Sequence, residues 1–162
     1  MAYADHTFYT ESYYGEVLTS ENADRWLEAA SDELDALTFG RLTFAFPEVA
    51  AHVSKVKKAV CAIAEALYSI DAQRKAAAAT KAEDGTYRGA IASVSSGRES
   101  ISYSAGNASV SVYAAAAANE VERNKLIGSI AVKYLANIPD TDGINLLYAG
   151  EVRHVPQHNN PV

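Results

Sequence analysis

The side chains with the most chemistry to offer are the single cysteine, Cys61, and the four histidines. A cysteine with a histidine beside it can form a thiolate–imidazolium pair and act as a nucleophile. His52 and Cys61 lie nine positions apart in a stretch that reads as helix. At about 100° per residue that spacing amounts to about 900°, half a turn out of phase. The two side chains therefore point to opposite sides of the helix and cannot serve one another within one chain. Cys61 also follows Val60 in an apolar run, where cysteine behaves as a small hydrophobe. His154 and His158 have ligand spacing only on a helix, and Pro156 between them works against one. One cysteine allows neither an internal disulfide nor a CxxC metal knuckle. The patterns GxxxxGK[ST], GxGxxG, HExxH and GxSxG are all missing from the sequence, and with them the usual phosphate-binding, dinucleotide-binding, zinc-hydrolase and nucleophile-elbow chemistries. A structural or binding protein is expected rather than an enzyme, with no metal and no cofactor.

The composition agrees with that expectation. The 162 residues suit one domain. At 49 % hydrophobic and 21 % charged they are globular rather than disordered in character. Fourteen Lys and Arg against twenty Asp and Glu leave a net charge of −6, which opposes tight binding to a phosphate backbone. The longest run without a polar residue, Val112–Ala118, is far shorter than the roughly 20 residues that cross a bilayer. The opening MAYADHTFYTESYYGE has no basic residue and no apolar run, so no signal peptide is expected. An intracellular, soluble domain without membrane contact follows as the expectation.

The charge is distributed in blocks. Residues 1–48 carry ten acids against Arg25 and Arg41, a net of −8, whereas residues 49–81 carry a net of +4. Such blocks can pair inside the monomer or between copies of it. The acids Glu21, Asp24, Glu28, Asp32 and Asp35 form one stripe, and Lys55 and Lys58 are candidate partners for it on a neighbouring copy.

These groups are positioned by elements that the periodicity predicts. A first helix covers about 20–38, capped by Thr19 or Ser20 and ended by Thr38-Phe39-Gly40. Ala23, Trp26, Leu27, Ala30, Leu34 and Leu37 make its apolar side, opposite the acidic stripe. Pro47 opens a second, long helix over about 47–79. In it Val49, Val53, Val56, Val60, Ile63, Leu67 and Ile70 step alternately by four and three, a heptad pattern. Its e and g positions lack a charge code, so it reads as a long bundle helix rather than a two-stranded coiled coil. Residues 86–113 are rich in serine and glycine. The alternation at Ile101, Tyr103, Val110 and Val112 predicts a small β-hairpin or loop inserted there. A third helix is expected over about 114–138, with Val121, Ile127, Ile130, Tyr134, Leu135 and Ile138 on its apolar side. Within it, Glu120, Glu122 and Arg123 read as a solvated helix start. Residues 144–162 read as an extended C-terminal arm. The expected fold is thus mainly α: one domain over 1–162, a bundle of three main helices, one of them long, with the inserted hairpin and the tail. Leu27, Leu34, Val53, Val60, Ile63, Leu67, Ile130 and Leu135 are its expected core.

The order of these features resembles a known family. An aromatic opening (Tyr3, Phe8, Tyr9, Tyr13, Tyr14, Gly15) precedes a helix ending in Leu37-Thr38-Phe39-Gly40-Arg41. A long helix containing Val60-Cys61-Ala62-Ile63-Ala64-Glu65 follows, then the serine-rich stretch from Ser93 to Ser104. The close is Ala131-Val132-Lys133-Tyr134-Leu135-Ala136, then Leu146-Leu147-Tyr148-Ala149-Gly150. Over roughly residues 3–152 this resembles the head–tail connector, or adaptor, proteins of tailed bacteriophages. Pro139–Ile144, inserted before the Leu-Leu-Tyr segment, departs from the family pattern.

The resemblance implies a structural virion protein of the phage neck, assembled in the host cytoplasm. It would form a homo-oligomeric ring, typically of twelve copies, between the portal protein and the stopper or tail-completion protein. That ring would extend the channel through which genomic DNA passes without sequence-specific binding, and would provide the tail attachment site. Leu146, Leu147, Tyr148, Val152, Arg153 and His154 are the portal-binding candidates, on a strip expected to gain order on its partner. The neighbouring stopper or tail-completion protein, or a small helical binding module of bacterial origin, are the alternative readings.

Overall fold

The stepped valines and isoleucines of the long helix form the axis around which the rest of the chain packs. The computed structural model describes residues 2–78, 93–96, 99–102 and 111–149, and the fold is mainly α-helical. The helices are α1 (His6–Glu11), α2 (Ala23–Leu37), α3 (Arg41–Phe44), α4 (Ala50–Ala78), α5 (Val112–Ala118) and α6 (Glu120–Leu135). α4 touches α1, α2, α5 and α6. It buries Val56, Val60, Ile63, Leu67 and Ile70, with Ala59, Cys61 and Ala64 between them. The first two heptad positions behave differently: Val49 is exposed and Val53 only half-buried. Val49 precedes α4 and Val53 lies in its first turn, where the chain enters from α3. None of the described helices is long and apolar enough to cross a membrane.

α2 presents Ala23, Leu27, Ala30 and Leu34 to the core, with Trp26 and Leu37 at its margins. Trp26 meets Tyr68 of α4 edge-on at 6.0 Å between ring centroids, a favoured aromatic geometry. The expected cap at Thr19 or Ser20 is corrected. α2 starts at Ala23 with Asn22 in the cap position, and the Asn22 side chain turns back to accept the Thr19 N–H. Pro47 is buried ahead of α4 rather than inside its first turn. The Val49 carbonyl instead accepts the His52 and Val53 N–H groups.

The single helix expected over 114–138 is two. α5 begins at Val112 and stops at Asn119, whose extended backbone (φ −138°, ψ 124°) breaks the run. The Asn119 side chain then accepts the Val121 N–H and caps α6. Asparagine bonds readily to nearby backbone, so one residue both ends a helix and starts the next. Glu120 and Glu122 fill the first turn of α6 and Lys133 its last, which matches the helix dipole. Val112 and Tyr113 accordingly belong to a helix rather than to the end of the 86–113 segment. Within that segment, β1 (Ser93–Ser96) and β2 (Glu99–Ser102) pair antiparallel, with Val94 in register with Ile101. The rest of the segment, including Tyr103 and Val110, lies outside the described residues. Of the expected core, Leu27, Leu34, Val60, Ile63, Leu67 and Leu135 are buried. Val53 and Ile130 are half-buried at the rim.

Candidate functional site

The aromatic opening folds against the middle of the bundle. Asp5 caps α1 by accepting the Phe8 N–H, and the helix then carries Tyr9 into full burial. The Tyr9 hydroxyl donates to Glu65 Oε1 at 2.8 Å and accepts the Val17 and Leu18 N–H groups at 2.9 and 3.0 Å. Tyr13 donates to the other carboxylate oxygen of Glu65. Gly15 lies against the Tyr9 ring so closely that a Cβ there would overlap its carbons. Burial, helped by Glu65, raises the pKa of Tyr9 and of Tyr13 above the ordinary phenol value. Burial and the same carboxylate push the Cys61 thiol from its ordinary 9.0 up to about 12. This cluster is made of partners that satisfy one another and leaves no group aimed at a ligand. A six-residue helix held by contacts more than fifty positions away (Tyr9 to Glu65) gives no periodic signal of its own, which is why sequence reasoning missed α1.

The charged stripe is where the periodicity placed it. Glu21, Asp24, Glu28 and Asp32 are exposed along α2, while Asp35 is half-buried and accepts the Tyr3 hydroxyl at 2.6 Å. Asp35 therefore already has a partner inside the monomer. Burial and that hydrogen bond push the Tyr3 phenol up to about 12. Lys55 is exposed and Lys58 half-buried on α4. The ion pairs among the described residues are Arg41–Asp140, Lys75–Asp71, Arg123–Glu33 and Lys125–Glu122. None of them uses Glu21, Asp24, Asp32, Lys55 or Lys58. Arg123, expected as a solvated residue at a helix start, instead ties α6 to Glu33 of α2 with most of its side chain covered.

The portal-binding candidates divide sharply. Asp140 accepts the Asp142 and Ile144 N–H groups on one carboxylate oxygen, and its other oxygen lies 3.6 Å from Arg41 Nη1. The chain so folded turns back, and the Leu146 N–H donates to the Ile138 carbonyl. Leu146 is consequently 0 % exposed inside the core, and Leu147 packs on that core half-buried. Neither side chain is presented to a partner. That part of the expected arm, 144–149, is docked on the bundle instead of free, because the Pro139–Ile144 insertion supplies the turn. Tyr148 is 55 % exposed, and its carbonyl accepts from Arg41 Nη2. Val152, Arg153 and His154, with His158, lie outside the described residues.

The corner between α2 and α3 carries what sequence reasoning overlooked. α2 ends in a Schellman arrangement: the Phe39 N–H donates to the Ala36 carbonyl and the Gly40 N–H to the Asp35 carbonyl. The position that must turn left-handed in such an ending is usually glycine, but here it is Phe39, at φ 56°. For a bulky residue this costs on the order of 1–2 kcal/mol. The Phe39 ring nevertheless stays 60 % exposed, and Phe44, beside Gly40, is 90 % exposed. The signal was in the sequence as Thr38-Phe39-Gly40, where two successive residues turn left-handed, Gly40 at φ 73° as well as Phe39.

No protein-family model matches the chain, and neither a curated protein nor a solved structure shows significant similarity to it.

Proposed function

We propose that this chain is a structural subunit of a tailed-phage neck. It forms a ring between the portal and the stopper or tail, extends the DNA channel and seats the tail. The observation that carries the reading is the acidic face of α2 and the lysines of α4. Glu21, Asp24 and Asp32, with Lys55 and Lys58, form no ion pair among the described residues. Opposite charges that do not meet within a monomer are suited to meeting between copies set head to tail. The order of sequence motifs and the mainly helical bundle are compatible with the connector family. A net charge of −6 per copy suits a conduit, because a channel rich in lysine would hold DNA through counterion release. The hairpin of β1 and β2 is part of the same reading, as an element for contact with a ring partner. Portal contact is assigned to Tyr148 and to Val152, Arg153 and His154, which follow it in the chain, and no longer to Leu146 or Leu147.

The test is attachment. Purified protein is mixed with DNA-filled, portal-bearing heads that lack a neck, from the phage that encodes it, and the heads are sedimented and imaged. A ring added at the portal vertex is the expected result. Removal of residues 151–162 should abolish attachment and leave the melting temperature unchanged. Heads that sediment without the full-length protein would overturn the assignment.

A further inference from the structure

Where α2, α4 and α6 meet, the bundle surface holds an open cavity of about 270 Å³. Buried Leu67 and Ile70 and the half-buried Trp26 form the apolar part of its lining. The rest carries three guanidinium groups, Arg25, Arg74 and Arg123, one from each helix. Arg123 is taken up by Glu33, and its side chain is only 18 % exposed. Asp71, the other acid of the lining, pairs with Lys75 at 2.7 Å. Arg74 donates from Nε to the Ala117 carbonyl at 3.2 Å, which ties it to α5. Its Nη N–H groups have no acceptor among the described residues. Arg25 has Glu21 and Glu28 about one helical turn away on either side, a spacing that ordinarily allows pairing. It nevertheless forms no ion pair among the described residues, and lies over the Trp26 ring at 4.8 Å from its centre.

We infer that this cavity binds the phosphoryl group of a small phosphate monoester. Both acids of the lining already have a cation, so the charges of Arg25 and Arg74 are left over. A phosphate monoester carries a charge of about −2 at neutral pH and presents three strong acceptor oxygens. It balances both guanidinium groups, whereas a carboxylate balances one. The planar guanidinium fork also matches phosphate oxygens two at a time. The organic part of the ester then meets Trp26, Leu67 and Ile70, which favours an ester over inorganic phosphate. A DNA backbone suits the cavity less well. Each of its phosphates is a diester with a single charge, and a chain of net charge −6 repels a polyanion. The site goes beyond the ring reading and does not depend on it.

Isothermal titration calorimetry on the full chain tests it, with phenyl phosphate, inorganic phosphate and acetate as probes at neutral pH and matched ionic strength. Phenyl phosphate should bind one to one and more tightly than inorganic phosphate, and acetate should give no measurable binding. Arg25→Gln and Arg74→Gln should each weaken phenyl phosphate binding by at least about tenfold. Lys125→Gln removes an equal charge from an exposed position of α6 that is not part of the cavity lining, and should leave binding unchanged. Circular dichroism and thermal melting of each variant separate loss of binding from loss of fold. Where a glutamine variant unfolds, Arg25→Lys or Arg74→Lys replaces it. Either keeps the charge without the fork and should still bind more weakly than the wild type. A wild type that takes up no phenyl phosphate at about 10 mM would overturn the site. So would acetate binding as tightly as phenyl phosphate, or a loss in Lys125→Gln equal to that in the arginine variants. A short DNA duplex that displaces phenyl phosphate at equal phosphate concentration would overturn it as well, by giving the arginines to nucleic acid.

Discussion

At the middle of the bundle, Glu65 takes hydrogen bonds from Tyr9 and Tyr13, and the Tyr9 oxygen in turn satisfies two backbone N–H groups. At the α2–α3 corner, two phenylalanines stand in water on a backbone that resists one of them. The first region buries polar atoms and gives each a partner, as a stable interior demands. The second leaves two apolar rings mostly in water. The monomer is thus complete where it packs on itself and incomplete at one corner. The difference separates residues that keep the chain folded from residues whose rings the fold leaves exposed.

The largest expected effect comes with alkali. The folded state holds the Cys61 proton up to about pH 12 against an ordinary 9.0, and the Tyr3 proton up to about 12 against an ordinary 10.0. Both shifts are upward, so their contribution is fully present below pH 9. It is lost as pH rises through the window from 9 to 12, because the unfolded chain releases those protons first. Melting temperature should therefore fall steadily from pH 9 to pH 12. Cys61→Ala should delay the start of that fall. A flat profile would show that thiol and phenol reach solvent in the folded chain.

Next come the core positions. Ile63→Ala should cost about 2–5 kcal/mol in urea denaturation, and Leu146→Ala should fall in the same range. The second substitution bears directly on the corrected segment. If Leu146→Ala left stability intact, the chain beyond Asp140 would not be docked, and the contrast between packed and presenting surfaces would have to be redrawn.

Those two residues also show what the sequence could and could not convey. Ile63 was legible because burial recurred every three or four positions through five consecutive heptad sites. The acidic stripe of α2 was legible by the same rule. Leu146 was not, since its burial depends on one aspartate folding the chain back through Asp142 and Ile144, a turn that periodicity does not encode. The break at Asn119 was hidden by alanines that favour helix on its N-terminal side, and α1 by its dependence on Glu65. At the corner, Phe39 was taken as part of a stop signal. The stop is real, but the left-handed turn there takes in the aromatic residue as well as Gly40.

Smaller effects are expected where close packing meets hydrogen bonding. Gly15→Ala should cost roughly 1–3 kcal/mol, because a Cβ would overlap the buried Tyr9 ring and that ring cannot move without releasing Val17, Leu18 and Glu65. Tyr13→Phe removes a single, longer hydrogen bond of 3.2 Å and should cost about 0.5–1.5 kcal/mol. Both are read from chemical denaturation at neutral pH. Equal losses would mean that the glycine contact is soft and that the two tyrosines share the load.

The smallest effect is expected at the corner, and with the opposite sign. Phe39→Gly removes a ring that the monomer leaves mostly in water and relieves a left-handed backbone that glycine adopts freely. Against this, glycine adds freedom to the unfolded chain, which takes back part of the gain. The net should be a stabilisation of up to about 1 kcal/mol, visible as a small rise in melting temperature. A substitution in the middle of the bundle that removed a phenyl ring would do the reverse, at several times the size. If Phe39→Gly instead destabilised the monomer by more than about 1 kcal/mol, the ring would be packing within its own chain, and the corner would belong with the core. A gain in monomer stability would show that the left-handed backbone at Phe39 costs the fold more than the covered part of its ring returns.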